Sequence, residues 1–186
     1  MTESELHAWS EFALAQAGAA AVLTGLVFVA VSININAILR HHELPGRAGE
    51  GVVIFVSVLC QSVVLLVPHQ GPGAAGAQLL LIAAGTLALL LGIFLPGLRR
   101  PSRQPTAWRV TRLLLILSST IPSLAAGAGL LGWIGADLRW YAFGTVWAMV
   151  AAMTNAWVLL VEVVRDERYA PVATTARPGA DPGARP

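Results

Sequence analysis

Residues 75–98 read AGAQLLLIAAGTLALLLGIFLPGL, and Arg99-Arg100-Pro101-Ser102-Arg103 follow at once. No charged side chain interrupts the run. About 20 mostly apolar residues suffice for a helix to cross the hydrocarbon core of a bilayer. Ala75–Leu98 is therefore read as a membrane span, with Pro96 near its end and an arginine-rich loop stopping it.

Working outward, four more runs meet the same test. Phe12–Leu39 is long enough to tilt or to extend past the bilayer. Gly51–Val67 is short, at the lower limit for a crossing, and ends at Pro68; a re-entrant segment is its alternative. Val110–Ile134 and Trp140–Val164 complete the set. The expected fold is all-α: a polytopic transmembrane bundle of about five spans in one domain, residues 1–166. Residues 167–186 are rich in Pro, Ala and Arg, too poor in apolar residues to fold, and read as a disordered tail.

Composition agrees. The chain has 186 residues, 56% hydrophobic and only 12% charged, with a mean hydropathy of +0.69. Soluble domains carry about 25% charged residues, and a small domain leaves much of its surface exposed. Lipid is the solvent that this surface requires. A net charge of +2 does not suggest nucleic acid as a partner. Cys60 is the single cysteine, so no intrachain disulfide or CxxC motif exists. The acidic start, with Glu3, Glu5 and Glu11, lacks the basic region of a signal peptide.

The arginines test the span count. All twelve basic residues are Arg, which fits a GC-rich coding bias. With five spans, one side receives Arg40, Arg47, Arg99, Arg100, Arg103, Arg109, Arg112, Arg165, Arg168, Arg177 and Arg185, and the other only Arg139. Cytoplasmic loops hold the Arg excess. The N-terminus is thus expected outside and the C-terminus in the cytoplasm, in a bacterial inner or plasma membrane. Deleting any one span would destroy the alternation. Trp9, Trp108, Trp133, Trp140 and Tyr141 fall near span ends, where amphipathic rings prefer the interface.

Polar groups at bilayer depth are costly and need partners or water. Gly18, Ala21, Gly25, Ser32 and Asn36 form one stripe of the first span, a seam for close helix packing within or between protomers. Asn34 points to the opposite face. In the second span Gln61 needs a partner near mid-membrane. In the fourth, Ser118, Ser119 and Thr120 precede Pro122, whose ring disrupts the bond to the Ser118 carbonyl; Ala125, Gly129 and Gly132 then continue a packing face. In the fifth, Ala148, Ala151, Ala152, Asn155 and Glu162 share a face, and Glu162 is the one carboxylate inside an expected span, within reach of Arg165. Asn34, Asn36, Gln61, Ser118 and Asn155 are the candidates for a pore lining or polar core, with Thr86 at comparable depth. Arg99, Arg100 and Arg103 are candidates for contact with lipid head groups.

No intramembrane His–Glu or Asp–His arrangement, P-loop, dinucleotide fingerprint or Gly-x-Ser-x-Gly is present. His41-His42-Glu43 reads as a loop cluster able to bind a metal weakly at most, and solvation alone is the expectation for adjacent loop histidines. An enzyme or proton pump is disfavoured, and no cofactor or metal is expected.

The run Ala21–Asn34, after a Trp9-containing acidic start, and later Val67-Pro68-His69-Gln70, resembles small bacterial membrane proteins of which some are named modulators of the membrane protease FtsH. The likeness covers about the first 70 residues and implies no functional residue. Two functions are therefore expected to compete. One is a homo-oligomeric ion channel or passive pore lined by uncharged polar residues. The other is a non-transporting partner or regulator of another membrane protein.

Overall fold

The structure is a computed structural model describing residues 8–40, 44–99 and 106–169. Among these residues there are six helices and no strand: α1 (Ser10–Ile33), α2 (Ile35–Arg40), α3 (Leu44–Leu65), α4 (Pro72–Arg99), α5 (Thr106–Leu130) and α6 (Leu138–Tyr169). All but the short α2 are long and apolar enough to cross a membrane.

The helix ends follow local chemistry. Pro72 opens α4, where a missing N–H costs nothing and the fixed φ suits the first turn. Asp137 caps α6 by accepting the Arg139 N–H at 2.9 Å. At the end of α5, Trp133 N–H bonds Ala128 O (3.0 Å), Gly132 N–H bonds Gly129 O (2.9 Å), and Gly132 has φ +76°. That paired closure with a left-handed glycine is the Schellman stop. Gly132 is thus a terminator beyond the helix and not part of a packing face.

Two expected boundaries change. The first span is not one helix to Leu39. The Asn34 side chain gives Nδ2–H to Ala30 O (2.9 Å), the same carbonyl its backbone N–H reaches at 3.3 Å. Asparagine competing for a helical carbonyl breaks the helix, and α2 resumes after it. The second span begins at Leu44, not Gly51, because Pro45 is compatible with a first helical turn. Arg47 and Glu50 therefore lie inside α3, and Arg112 lies inside α5. None of the three is a loop residue, and Glu162 is not the only carboxylate in a helix of spanning length.

α3, α4, α5 and α6 pack in sequence order as an up-down-up-down bundle, α6 closing against α3, and α1 lies on the outside of α3. The α4–α5 crossing needs glycine. A Cβ on Gly127 would stand 2.8 Å from Leu80 N, and one on Gly76 would stand 2.7 Å from Leu130 Cβ. Backbones approach this closely only between small residues.

The core has three tiers. Ala13, Leu65, Leu79, Leu130, Leu138 and Tyr141 fill the end where α1 begins. Ala20, Phe55, Val58, Leu90, Ile116 and Ala152 fill the middle. Ile38, Leu44, Ala48 and Leu159 fill the end where α1 stops and α3 starts. That last end is the arginine-bearing one.

Candidate functional site

The polar side chains of the interior are set in tiers along α3. At the far end Ser62 Oγ gives its proton to Val58 O (2.8 Å) and lies 2.9 Å from Tyr141 Oη. A hydroxyl has one proton, so Tyr141 is the donor to Ser62. Nearby, Gln16 Nε2–H bonds Thr145 Oγ1 at 3.0 Å, tying α1 to α6. One turn deeper, Gln61 Nε2–H bonds Ser57 Oγ (2.9 Å), and Ser57 and Thr86 are bonded at 2.7 Å, joining α3 to α4. Gln61 Oε1 is buried without a partner there.

The third tier is charged. Glu50 is fully buried, and Arg112 reaches across the bundle diagonal to it with Nε–H at 2.9 Å from both carboxylate oxygens and Nη2 on Oε1. The Arg112 guanidinium lies 5.5 Å from the centre of the Phe94 ring, and Asn155 Nδ2–H points to Glu50 Oε2 at 3.4 Å. All four bundle helices therefore meet at one ion pair: Glu50 from α3, Phe94 from α4, Arg112 from α5 and Asn155 from α6. A guanidinium matches a carboxylate edge with parallel N–H bonds. At bilayer depth each charge would otherwise be prohibitively placed. The pair is a lock on helix arrangement.

The sequence candidates thus separate. Gln61 and Thr86 meet through Ser57, as one core. Ser118 does not join them: its Oγ bonds Leu115 O (3.2 Å) and accepts the Trp147 Nε1–H at 2.6 Å. Ser119 and Thr120 both give their protons to Ile116 O, at 2.9 and 2.8 Å. The three hydroxyls before Pro122 thus bond carbonyls one turn earlier. Asn155 belongs to the Glu50 node. Asn34 is half-buried at the α1 break, and Asn36 is exposed. The seam of Gly18, Ala21, Gly25, Ser32 and Asn36 faces outward along its length, with nothing within 4 Å of a Cβ at Gly18 or Gly25. Among the described residues, no helix of the same protomer packs on Gly18 or Gly25. Ala148, Ala151 and Ala152 are buried, as their shared face requires.

His41, His42, Glu43, Arg100, Arg103 and residues 170–186 lie outside the described residues, as do the side chains of Arg99, Trp108, Glu162, Arg165 and Arg168. α6 carries helix as far as Tyr169, through the first residues of the expected tail. Among the described residues, no three His, Cys, Asp or Glu side chains come together.

Sequence reasoning missed the Glu50–Arg112 node. Arg112 falls inside the expected Val110–Ile134 span yet is counted with the loop arginines, and Glu50 lies one residue outside the expected Gly51–Val67 span. The available signal was position: a carboxylate directly before Gly51 and an arginine at the third residue of Val110–Ile134.

Five helices of spanning length around a polar interior define a multi-pass membrane protein. Beyond that class, comparison with family models, curated proteins and solved structures gives no match.

Proposed function

We propose that the chain is a non-transporting partner of another membrane protein, docking one of that protein's helices on the outward stripe of α1. The observation that carries this reading is the exposure of Gly18, Ala21, Gly25, Ser32 and Asn36, opposite the face through which α1 packs on α3. Lipid is as apolar as leucine, so a helix gains by binding another helix where small residues admit close backbone approach. A membrane protease is one partner of this kind, as the resemblance of the first 70 residues implies. The bundle acts as the anchor that presents α1, and it performs no chemistry itself.

A homo-oligomeric pore is the second reading, favoured by Ser32 and Asn36 on the same stripe, which would face an oligomer axis. Against it, small residues bring helices together and leave no lumen between them. Gln61, Ser118 and Asn155 are also committed to bonds inside the protomer.

Photo-crosslinkers placed at Ala21 and at Gln16 in the full chain test the proposal. One defined heavier product from Ala21, containing a different membrane polypeptide and lost in Gly18→Leu/Gly25→Leu, is the expected result. A product of two copies of this chain, with ion flux from liposomes that hold the pure protein, would replace the partner reading with the pore.

A further inference from the structure

Glu50 of α3 and Arg112 of α5 are 62 positions apart, and the two helices run in the same direction on the bundle diagonal. The same offset therefore matches their inward positions level by level. Ile54 is matched with Ile116, Ser57 with Ser119 and Gln61 with Ser123, and every one of these side chains is buried. Ile54 and Ile116 belong to one core cluster, as facing stripes require. Gln61 and Ser123 each stand three turns beyond the ion pair, about 16 Å along the helix. α6 supports that level. Tyr141 bonds Ser62, the neighbour of Gln61, and one turn along, a Cβ on Gly144 would stand 3.0 Å from Ser123 Oγ.

This level holds the two buried side-chain atoms that find no hydrogen-bond partner among the described residues, Gln61 Oε1 and Ser123 Oγ. Their residues are only 4% and 2% exposed. Turning the Gln61 amide over changes nothing, because one end bonds Ser57 and the other is left in either orientation. An unmet polar atom among apolar side chains is costly. Two of them at one level point to a guest that meets both.

We propose that one water molecule is bound between Gln61 and Ser123, giving a proton to Gln61 Oε1 and sharing a second hydrogen bond with Ser123 Oγ. It ties α3 to α5 in the middle of the bundle. Side-chain length explains the need for a bridge. At the ion pair, arginine spans the diagonal through its Nε. A serine hydroxyl is two bonds shorter than that. At the same helix spacing a gap wider than one hydrogen bond is left, and a water spans it.

Chemistry selects water over other guests. The amide oxygen only accepts, and the hydroxyl both gives and accepts. A molecule with two donors and two lone pairs serves both, and two partners fall within the range of two to four that buried waters have. Two neutral oxygens cannot replace the hydration shell of a metal ion, and Glu50, three turns away, is engaged by Arg112. The site lies inside the four-helix bundle, so it stands or falls separately from helix docking on α1.

NMR of the full chain in lipid nanodiscs tests this, reading magnetisation transfer from water protons. The Gln61 side-chain amide and the Ser123 β-protons are expected to receive it, and the amides of Leu79 and Leu90, buried in the apolar core, are not. Gln61→Met keeps the length of the side chain and removes both polar ends, so transfer to Ser123 is lost. Ser123→Ala weakens transfer to Gln61. Native-chain transfer no greater than at Leu79 and Leu90 overturns the proposal, and so does transfer to Ser123 that survives unchanged in Gln61→Met. If Gln61→Met does not fold, the native chain and Ser123→Ala decide the matter, and undiminished transfer to Gln61 in Ser123→Ala then overturns it.

Discussion

α1 and α3 are almost equally apolar, yet 56% of the most apolar window of α3 is buried inside the protein and only 11% of that of α1. In water such a pair would be impossible, because apolar surface drives burial. In lipid that force is absent between helices, and what separates the two is their polar content. α3 turns Glu50, Ser57, Gln61 and Ser62 inward, each buried. α1 keeps Gln16 inward and shows the bilayer Leu14, Val22, Leu26, Phe28 and Ile33. The helix with the more polar face is the centre of the molecule.

The contrast breaks most severely at the ion pair. Glu50→Ala leaves the half-buried Arg112 guanidinium without its carboxylate, a loss of at most about 3–5 kcal/mol, read as a fall in the midpoint of detergent unfolding. Glu50→Met with Arg112→Met removes both charges and is expected to recover most of that loss. No recovery would mean that the pair does more than neutralise itself. Next in size is Gly127→Leu, which drives a side chain into the α4 backbone; overpacking of this kind costs about 1–3 kcal/mol, seen in the same unfolding assay. Thr86→Val removes one hydroxyl from the middle tier, and about 0.6 kcal/mol is the usual worth of such an interhelical bond in a membrane. The smallest effect is on α1. Gly18→Leu/Gly25→Leu meets open space and shifts stability by no more than about 0.5 kcal/mol, while removing the crosslinked partner. A large stability loss there would mean that α1 is integral to the bundle, which would erase the contrast.

Legibility in the sequence followed the same division. The five runs are visible because lipid-facing helices must be apolar throughout, and Ala75–Leu98 shows this without any structure. The second run looked weakest by length and proved the most buried. A search for apolar runs trims a helix at its first charges, here Arg47 and Glu50, and so discards the residues that make it central. The partners of Glu50 are 62 and 105 positions away, and nothing in one sequence brings them together. The small-residue seam was legible as a stripe but not as to its direction, since Gly18 and Gly25 would look the same facing α3 or facing outward.

The distance of Glu50 from Arg112 also sets a schedule for synthesis. Arg112 leaves the ribosome 62 residues after Glu50, which is roughly 3–12 s later at the usual rate of translation. For that interval the first turns of α3 carry a carboxylate with no arginine to meet it, and hydrocarbon will not take it. The first turns of α3 are therefore expected to reach their final packing only once α5 has been made, an order that crosslinking between the Glu50 and Arg112 positions in chains stalled before and after α5 has left the ribosome would check.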